Sequence, residues 1–298
     1  MKTFLVKRAT IIVIVFIAIL IVVLVFFALY KKNEAELINT TRDTSKNLGS
    51  LHTVIGKSVE ARKINAYTYG GGKTHLLFVG GIHGGYEWNS VVLAYKFIDY
   101  IETNPEIVPK NLTVTIVPSL NPDGVYKIIG KEGRFTSIDV PTNKSTTPGR
   151  FNAHGVDLNR NFDCKWKPTS MWGNTVVSAG IKPFSEPEAE ALRVFIIENN
   201  PNAVIFWHSQ SNTVYASQCE NGILPETLKI MNLYAEASGY DAVPFFDAYK
   251  TTGDAEAWLA SIGIPSITVE LKTHENIEWK ENLKGIKALF EYYNLITI

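Results

Sequence analysis

From Ala9 to Tyr30 the chain runs for 22 residues without a charge, nearly all of them Ile, Val, Leu, Phe or Ala. At about 1.5 Å per helical residue this stretch reaches roughly 33 Å, enough to cross a hydrocarbon core of about 30 Å. A helix buried in a soluble core rarely lacks a polar face altogether. A cleaved signal peptide carries a shorter apolar stretch, about 7–15 residues, ending in a small-x-small site. No such site appears around Phe26-Phe27-Ala28-Leu29-Tyr30. The pattern predicts a basic tail at 1–8, an uncleaved transmembrane anchor at 9–30 and, from the polar run without apolar periodicity that follows, a tether at 31–50.

Beyond the tether, short β-branched or aliphatic runs alternate with helical patterns. Leu76-Leu77-Phe78-Val79 reads as a strand ending in Gly80-Gly81, and residues 88–102 as a helix. Leu112–Val117 and Ala203–Trp207 read as further strands, and Ser266–Leu271 as a late one. Ser185-Glu186-Pro187-Glu188 marks a helix start, with Pro and acidic residues in the first turn and apolar positions recurring to Ile197. A terminal helix is expected from about Trp279. The alternation predicts one α/β domain over 51–298, with helices on both faces of a largely buried sheet. Sites in such domains gather at the carboxyl ends of strands.

Charge refines this division. Lysine plus arginine balances aspartate plus glutamate at 29 each, which argues against a nucleic-acid binder. Seven of those basic and three of those acidic residues lie within 1–50, leaving 51–298 with a net charge of −4. Basic residues flank the apolar stretch almost equally, so the positive-inside count is near a tie. A short basic tail before a first span usually stays inside, and this favours export of the domain. Two cysteines, Cys164 and Cys219, exclude a disulfide scaffold and a four-cysteine zinc module. In an exported domain they can form one disulfide, a pairing the sequence leaves open.

Several strand ends carry unusual residues. His83 and Glu87 are four apart in Gly81-Ile82-His83-Gly84-Gly85-Tyr86-Glu87, so both reach one side of a helical turn. Taken alone, such a pair is more often a surface contact. His208 follows an apolar strand, where a satisfied core histidine is an equal reading. Together the three residues supply two imidazoles and a carboxylate, the ligand set of several hydrolytic zinc sites. Glu270 sits inside Ile-Thr-Val-Glu-Leu, where a carboxylate is costly to desolvate unless it is paired or used.

The string Gly155-Val156-Asp157-Leu158-Asn159-Arg160-Asn161-Phe162 resembles one carried by the zinc metallocarboxypeptidase family. Asn121-Pro122-Asp123-Gly124 is similar to that family's turn, and His208-Ser209 to its second histidine. Thr268–Leu271 resembles its general-base strand, and Tyr249, Gly253 and Trp258 its Tyr-x3-Gly-x4-Trp spacing. The resemblance covers roughly 51–298 in order and implies the family's carboxypeptidase-like mixed sheet. In one respect the chain departs: the family's first zinc motif is usually His-x-x-Glu, whereas three residues separate His83 from Glu87. An arginine that some members carry in that motif has no counterpart.

The resemblance implies amide hydrolysis at one zinc ion held by His83, Glu87 and His208, with Glu270 as general base. It implies Arg150 as the oxyanion-stabilising arginine, Arg134 being a weaker claimant. Asn159 and Arg160 match the pair that binds the substrate's terminal carboxylate, and Tyr249 the mobile tyrosine that closes over it. Glu256 falls where digestive members face the terminal side chain. With Asp254 nearby, it suggests a basic terminal residue or a cell-wall diamino acid, unless Asp254 and Glu256 simply open a helix. The expected partners are a peptide or peptidoglycan-derived peptide and the membrane. Rival readings are a zinc amidohydrolase acting on N-acyl amino acids and a catalytically dead, membrane-tethered peptide-binding module.

Overall fold

The computed structural model describes residues 50–296. The expected anchor at 9–30 and tether at 31–50 lie outside the described residues, Ser50 excepted. Among the described residues no helix is long and apolar enough to cross a membrane.

The chain opens with strands β1 (Leu51–Lys57), β2 (Lys63–Gly70) and β3 (Thr74–Val79), then helix α1 (Trp88–Thr103), β4 (Leu112–Val117) and α2 (Pro122–Ile129). A long loop leads to the hairpin β5 (Thr169–Trp172) and β6 (Thr175–Ser178), followed by α3 (Pro187–Asn199) and β7 (Ala203–Ser209). Next come β8 (Thr213–Ala216), the small hairpin β9 (Gln218–Cys219) and β10 (Gly222–Ile223), α4 (Pro225–Ser238) and β11 (Asp241–Val243). The last elements are α5 (Ala255–Ser261), β12 (Ser266–Leu271) and α6 (Trp279–Ile296).

Eight strands form one mixed sheet in the order β1-β2-β4-β3-β7-β12-β8-β11. Its centre, β4-β3-β7-β12, is parallel, while β2 and β8 pair antiparallel at its two flanks. Parallel strands need crossover helices, and these cover both faces, which explains the uninterrupted apolar runs in the sequence. On β3, Leu76 and Phe78 point to a core shared with α1, α4 and α6, whereas Leu77 and Val79 point to one shared with α3 and α5. Trp207 and Phe206 divide between the same two layers. The sheet with helices on both faces is as the apolar pattern predicts.

The first two strands carry no such signal. Along β1 the residues are exposed or half-buried throughout, as befits an edge strand that covers little core. What matters for the site is the common direction of β3, β7 and β12. Their carboxyl ends open at one edge, where Glu270 pairs in register with His208 on the neighbouring strand.

Candidate metal centre and active site

The loop after β3 carries the first pair of candidate ligands. Gly84 has a positive φ of 46°, and a Cβ there would lie 2.6 Å from the Gly149 carbonyl oxygen and 2.9 Å from Gly124 Cα. Only glycine lets this loop press so closely onto the chain just before Arg150. The turn then delivers Glu87 at the N-cap of α1, where its side chain makes no capping bond. It points inward instead: Oε1 lies 2.7 Å from His83 Nδ1 and Oε2 3.0 Å from His208 Nδ1. The two Nδ1 atoms are 3.2 Å apart. The four-residue spacing therefore keeps Glu87 in the set.

All three side chains are buried, and their donor atoms lie within 4.8 Å of one another. Ligands at 2.0–2.2 Å from a tetrahedral zinc stand about 3.4 Å apart, close to the spacings seen here. Two imidazole nitrogens and a carboxylate oxygen converging on one point make a donor set that a cation satisfies. The electrostatics agree. Burial alone would raise the Glu87 carboxyl, but the His83 and His208 imidazoles hold it well below the usual carboxylate range. Burial alone would lower His208, but Glu87 and Glu256 raise it well above its ordinary value.

Each imidazole faces a carboxylate across its outward nitrogen, and for His208 this contact is a hydrogen bond, the arrangement that fixes a ligand's tautomer and ring orientation. Asp157 Oδ1 lies 3.3 Å from His83 Nε2, at ion-pair distance. Glu256 Oε1 lies 3.1 Å from His208 Nε2 and accepts a second hydrogen bond from Thr268 Oγ1 at 3.1 Å. Asp157 Oδ2 also accepts a hydrogen bond from Arg150 Nε at 2.9 Å and lies at ion-pair distance, 2.9 Å, from its Nη2. Burial would raise Asp157, yet Arg150 and Arg160 hold it well below the carboxylate range. Glu270 stands at the same cavity wall, its Oε2 shielded from solvent and, among the described residues, without a hydrogen-bond partner. Burial pushes its carboxyl up to about 8; the Glu87 and Glu256 charges add to this, while His208 and Arg150 oppose it.

A family model described as zinc carboxypeptidase matches residues 35–287. The chain belongs to the zinc carboxypeptidase family. Its similar proteins include gamma-D-glutamyl-L-diamino acid endopeptidase 1 of Lysinibacillus sphaericus, 25% identical over 245 residues. That alignment takes in 75% of this chain and 61% of the endopeptidase. Murein peptide amidase A of Escherichia coli strain K12 is 29% identical over 192 residues, 61% of this chain and 69% of the amidase. The fold matches bovine thrombin-activatable fibrinolysis inhibitor, solved in complex with tick carboxypeptidase inhibitor, at a TM-score of 0.66 and 20% identity. The match covers 90% of this chain and 97% of the bovine one. As a zinc carboxypeptidase family member, the chain holds one zinc site at His83, Glu87 and His208.

Around that centre lies a cavity of about 840 Å³, lined among others by Arg150, Asn159, Arg160, Tyr249, Glu256 and Glu270. With His83, Glu87 and His208 they bring together every site residue named from the sequence except Arg134. Arg150 is buried beneath Trp172, its guanidinium carbon 4.6 Å from that ring, and its Nη1 lies 3.6 Å from Glu87 Oε1. Arg134 is elsewhere, half-exposed and paired with Asp99 on α1. Asn159 is fixed by its Oδ1, which accepts from the Ala255 amide at 2.8 Å. Tyr249 lies on the irregular chain between β11 and α5, its ring edge-on to Phe246.

Glu256 combines two of the readings weighed for it. It opens α5, whose N-cap is Asp254, with Oδ1 accepting from the Ala257 amide at 2.8 Å. It also faces the cavity, although its Oε1 is engaged by His208. The two cysteines are joined, Cys164 to Cys219, and both line the cavity. Sequence reasoning passed over Asp157, Tyr86, Trp172 and His274. Asp157 was the one carboxylate inside the matched string. His274 carried only the hint of a histidine four residues beyond Glu270.

Proposed function

We propose that this chain hydrolyses the amide bond next to a free terminal carboxylate, releasing the last residue of a cell-wall-type peptide that ends in a diamino acid or another basic residue. The observation that carries the reading is Arg160. Its guanidinium is buried at the cavity wall, where Nε and Nη2 donate to the Met171 carbonyl and Nη1 to that of Asn159. Among the described residues no carboxylate forms an ion pair with it. A buried cation held only by neutral carbonyls is poised for an anion, and its planar fork suits a carboxylate. Asp254 and Glu256 supply negative charge on the same cavity, matched to an amine on the terminal side chain. The names of two relatives, a diamino acid endopeptidase and a murein peptide amidase, support that choice.

His83, Glu87 and His208 would hold the zinc ion, which would supply Lewis acidity for amide hydrolysis. Glu270 takes the attacking water's proton and passes it to the leaving nitrogen. Arg150, held rigid by Asp157 and Trp172, favours the negative charge that develops on the carbonyl oxygen. Asn159, Arg160 and Tyr249 bind the terminal carboxylate.

Amidating that carboxylate removes its charge and one acceptor, leaving Arg160 unpaired at a cost of about 2–5 kcal/mol. Wild type is expected to lose about thirty- to several-thousand-fold in kcat/KM on the amide. Arg160→Ala starts low on the acid and discriminates poorly between the two. Equal losses on amidation for both enzymes, measured as a double-mutant cycle, sink the exopeptidase reading.

We propose further that residues 9–30 anchor the chain in a membrane with the enzyme on the exported side. The uncharged 22-residue run and a disulfide suited to an oxidising compartment support this. Protease added to intact cells should reach the domain without lysis, and full protection reverses the orientation.

A further inference from the structure

A chain of hydrogen bonds beside the metal centre fixes the protons of one histidine that the mechanism above leaves unused. Asn89, on α1, donates through Nδ2 to two carbonyls, Thr273 O at 2.6 Å and Asn276 O at 2.8 Å. Its Oδ1 is therefore an acceptor, and it takes the Ser209 hydroxyl proton at 2.9 Å. With that proton committed, Ser209 Oγ can only accept from His274 Nδ1, 2.7 Å away. The neutral imidazole thus carries its proton on Nδ1, and Nε2 keeps a lone pair. Burial lowers the His274 pKa, in keeping with the neutral ring.

The ring lines the active-site cavity with its centroid 4.6 Å from that of Tyr86, and Tyr86 in turn meets Trp172 edge-on at 5.2 Å. Among the described residues Nε2 has no partner. The wall formed by His274 and Tyr86 adjoins the ligands Glu87 and His208 through Tyr86 and Ser209. It shares no hydrogen bond with Asn159, Arg160 or Glu256. A substrate whose terminal carboxylate sits on Arg160 and whose scissile carbonyl sits at the metal centre extends its acyl portion along the remaining wall.

We propose that His274 is a specificity-determining residue for the acyl portion, its Nε2 accepting a hydrogen bond from a substrate N–H. The proposal rests on the exopeptidase reading of the same site. An acceptor on this stretch of wall selects for an amide or amine N–H, where Arg150, Arg160 and Tyr249 select for carbonyls and carboxylates.

The test uses the zinc-loaded protein and a peptide series in which each amide N–H upstream of the scissile bond is replaced in turn by an ester oxygen. One replacement should cost wild type about tenfold in kcat/KM, the worth of one neutral hydrogen bond. The same replacement should cost His274→Phe nothing, since that ring keeps the Tyr86 contact but has no acceptor. His274→Gln, whose carbonyl oxygen reaches the place of Nε2, should keep part of the discrimination. His274→Leu stands in if the phenylalanine variant does not fold. Zinc content should be unchanged in every variant. If wild type and the acceptor-free variant lose the same factor on every replacement, His274 reads no N–H, while the exopeptidase reading survives. If wild type hydrolyses none of the peptides, both fall together.

Discussion

Glu256 makes two claims on one carboxylate, and two substitutions separate them. Its Oε1 lies 3.1 Å from His208 Nε2, and Thr268 donates to the same oxygen. Removing such an outer partner typically costs 10–100-fold in metal affinity, or about 1.4–2.7 kcal/mol. Glu256→Ala should therefore weaken zinc binding by that factor, because His208 loses both the acceptor that fixes its tautomer and a neighbouring negative charge. Glu256→Gln should lose less than about tenfold. Its amide oxygen can still accept from His208, and the Thr268 hydroxyl, donating to that same oxygen, keeps the amide turned the right way. Preference for a basic terminal residue should fall in both variants, since both lose the charge. Competition with a chromophoric chelator measures the affinity, and paired peptides ending in lysine or leucine measure the preference. Zinc affinity in Glu256→Ala within twofold of wild type would refute the claim that this carboxylate supports the metal site.

The other predictions concern Glu270. Glu270→Gln should bind zinc as wild type does yet lose about 10²–10⁴-fold in kcat, as expected for a general base. Full activity would remove it from that role. In zinc-stripped protein the Glu270 carboxyl is raised from its ordinary 4.5 to about 8. Its contribution to stability is complete below pH 4.5 and is lost as pH rises through about 8. Thermal melts should show the glutamine variant gaining on wild type across that window, and a constant difference would contradict the shift.

Much of this molecule was legible because the residues concerned act through local pattern. Leu112–Val117 is buried but for one residue and Ala203–Ser209 throughout, so their apolar runs mark the strands without tertiary knowledge. The edge strand β1 hides because half-exposed positions impose no such pattern. In the site, the ligands and the Asn159-Arg160 pair stand in short strings whose spacing survives in the sequence. The supporting residues do not. Glu256 reaches His208 across 48 residues, and His274 owes its proton placement to Ser209 and Asn89, 65 and 185 positions away. No window along the chain contains those relations. The extra residue between His83 and Glu87 was readable as a departure, but its accommodation by Gly84 against Gly149 and Gly124 required the fold.

The bond between Cys164 and Cys219 closes a ring spanning 55 positions, and that ring carries α3, β7 and His208. On a chain-entropy view such a closure takes about 4 kcal/mol of freedom from the unfolded ensemble. His83 and Glu87 lie outside the ring, close together in sequence from the start. The remaining search, which brings the second imidazole to that pair, is thus made by a tethered circle and not by an open chain. Oxidation thus narrows the unfolded ensemble from which the metal centre has to assemble.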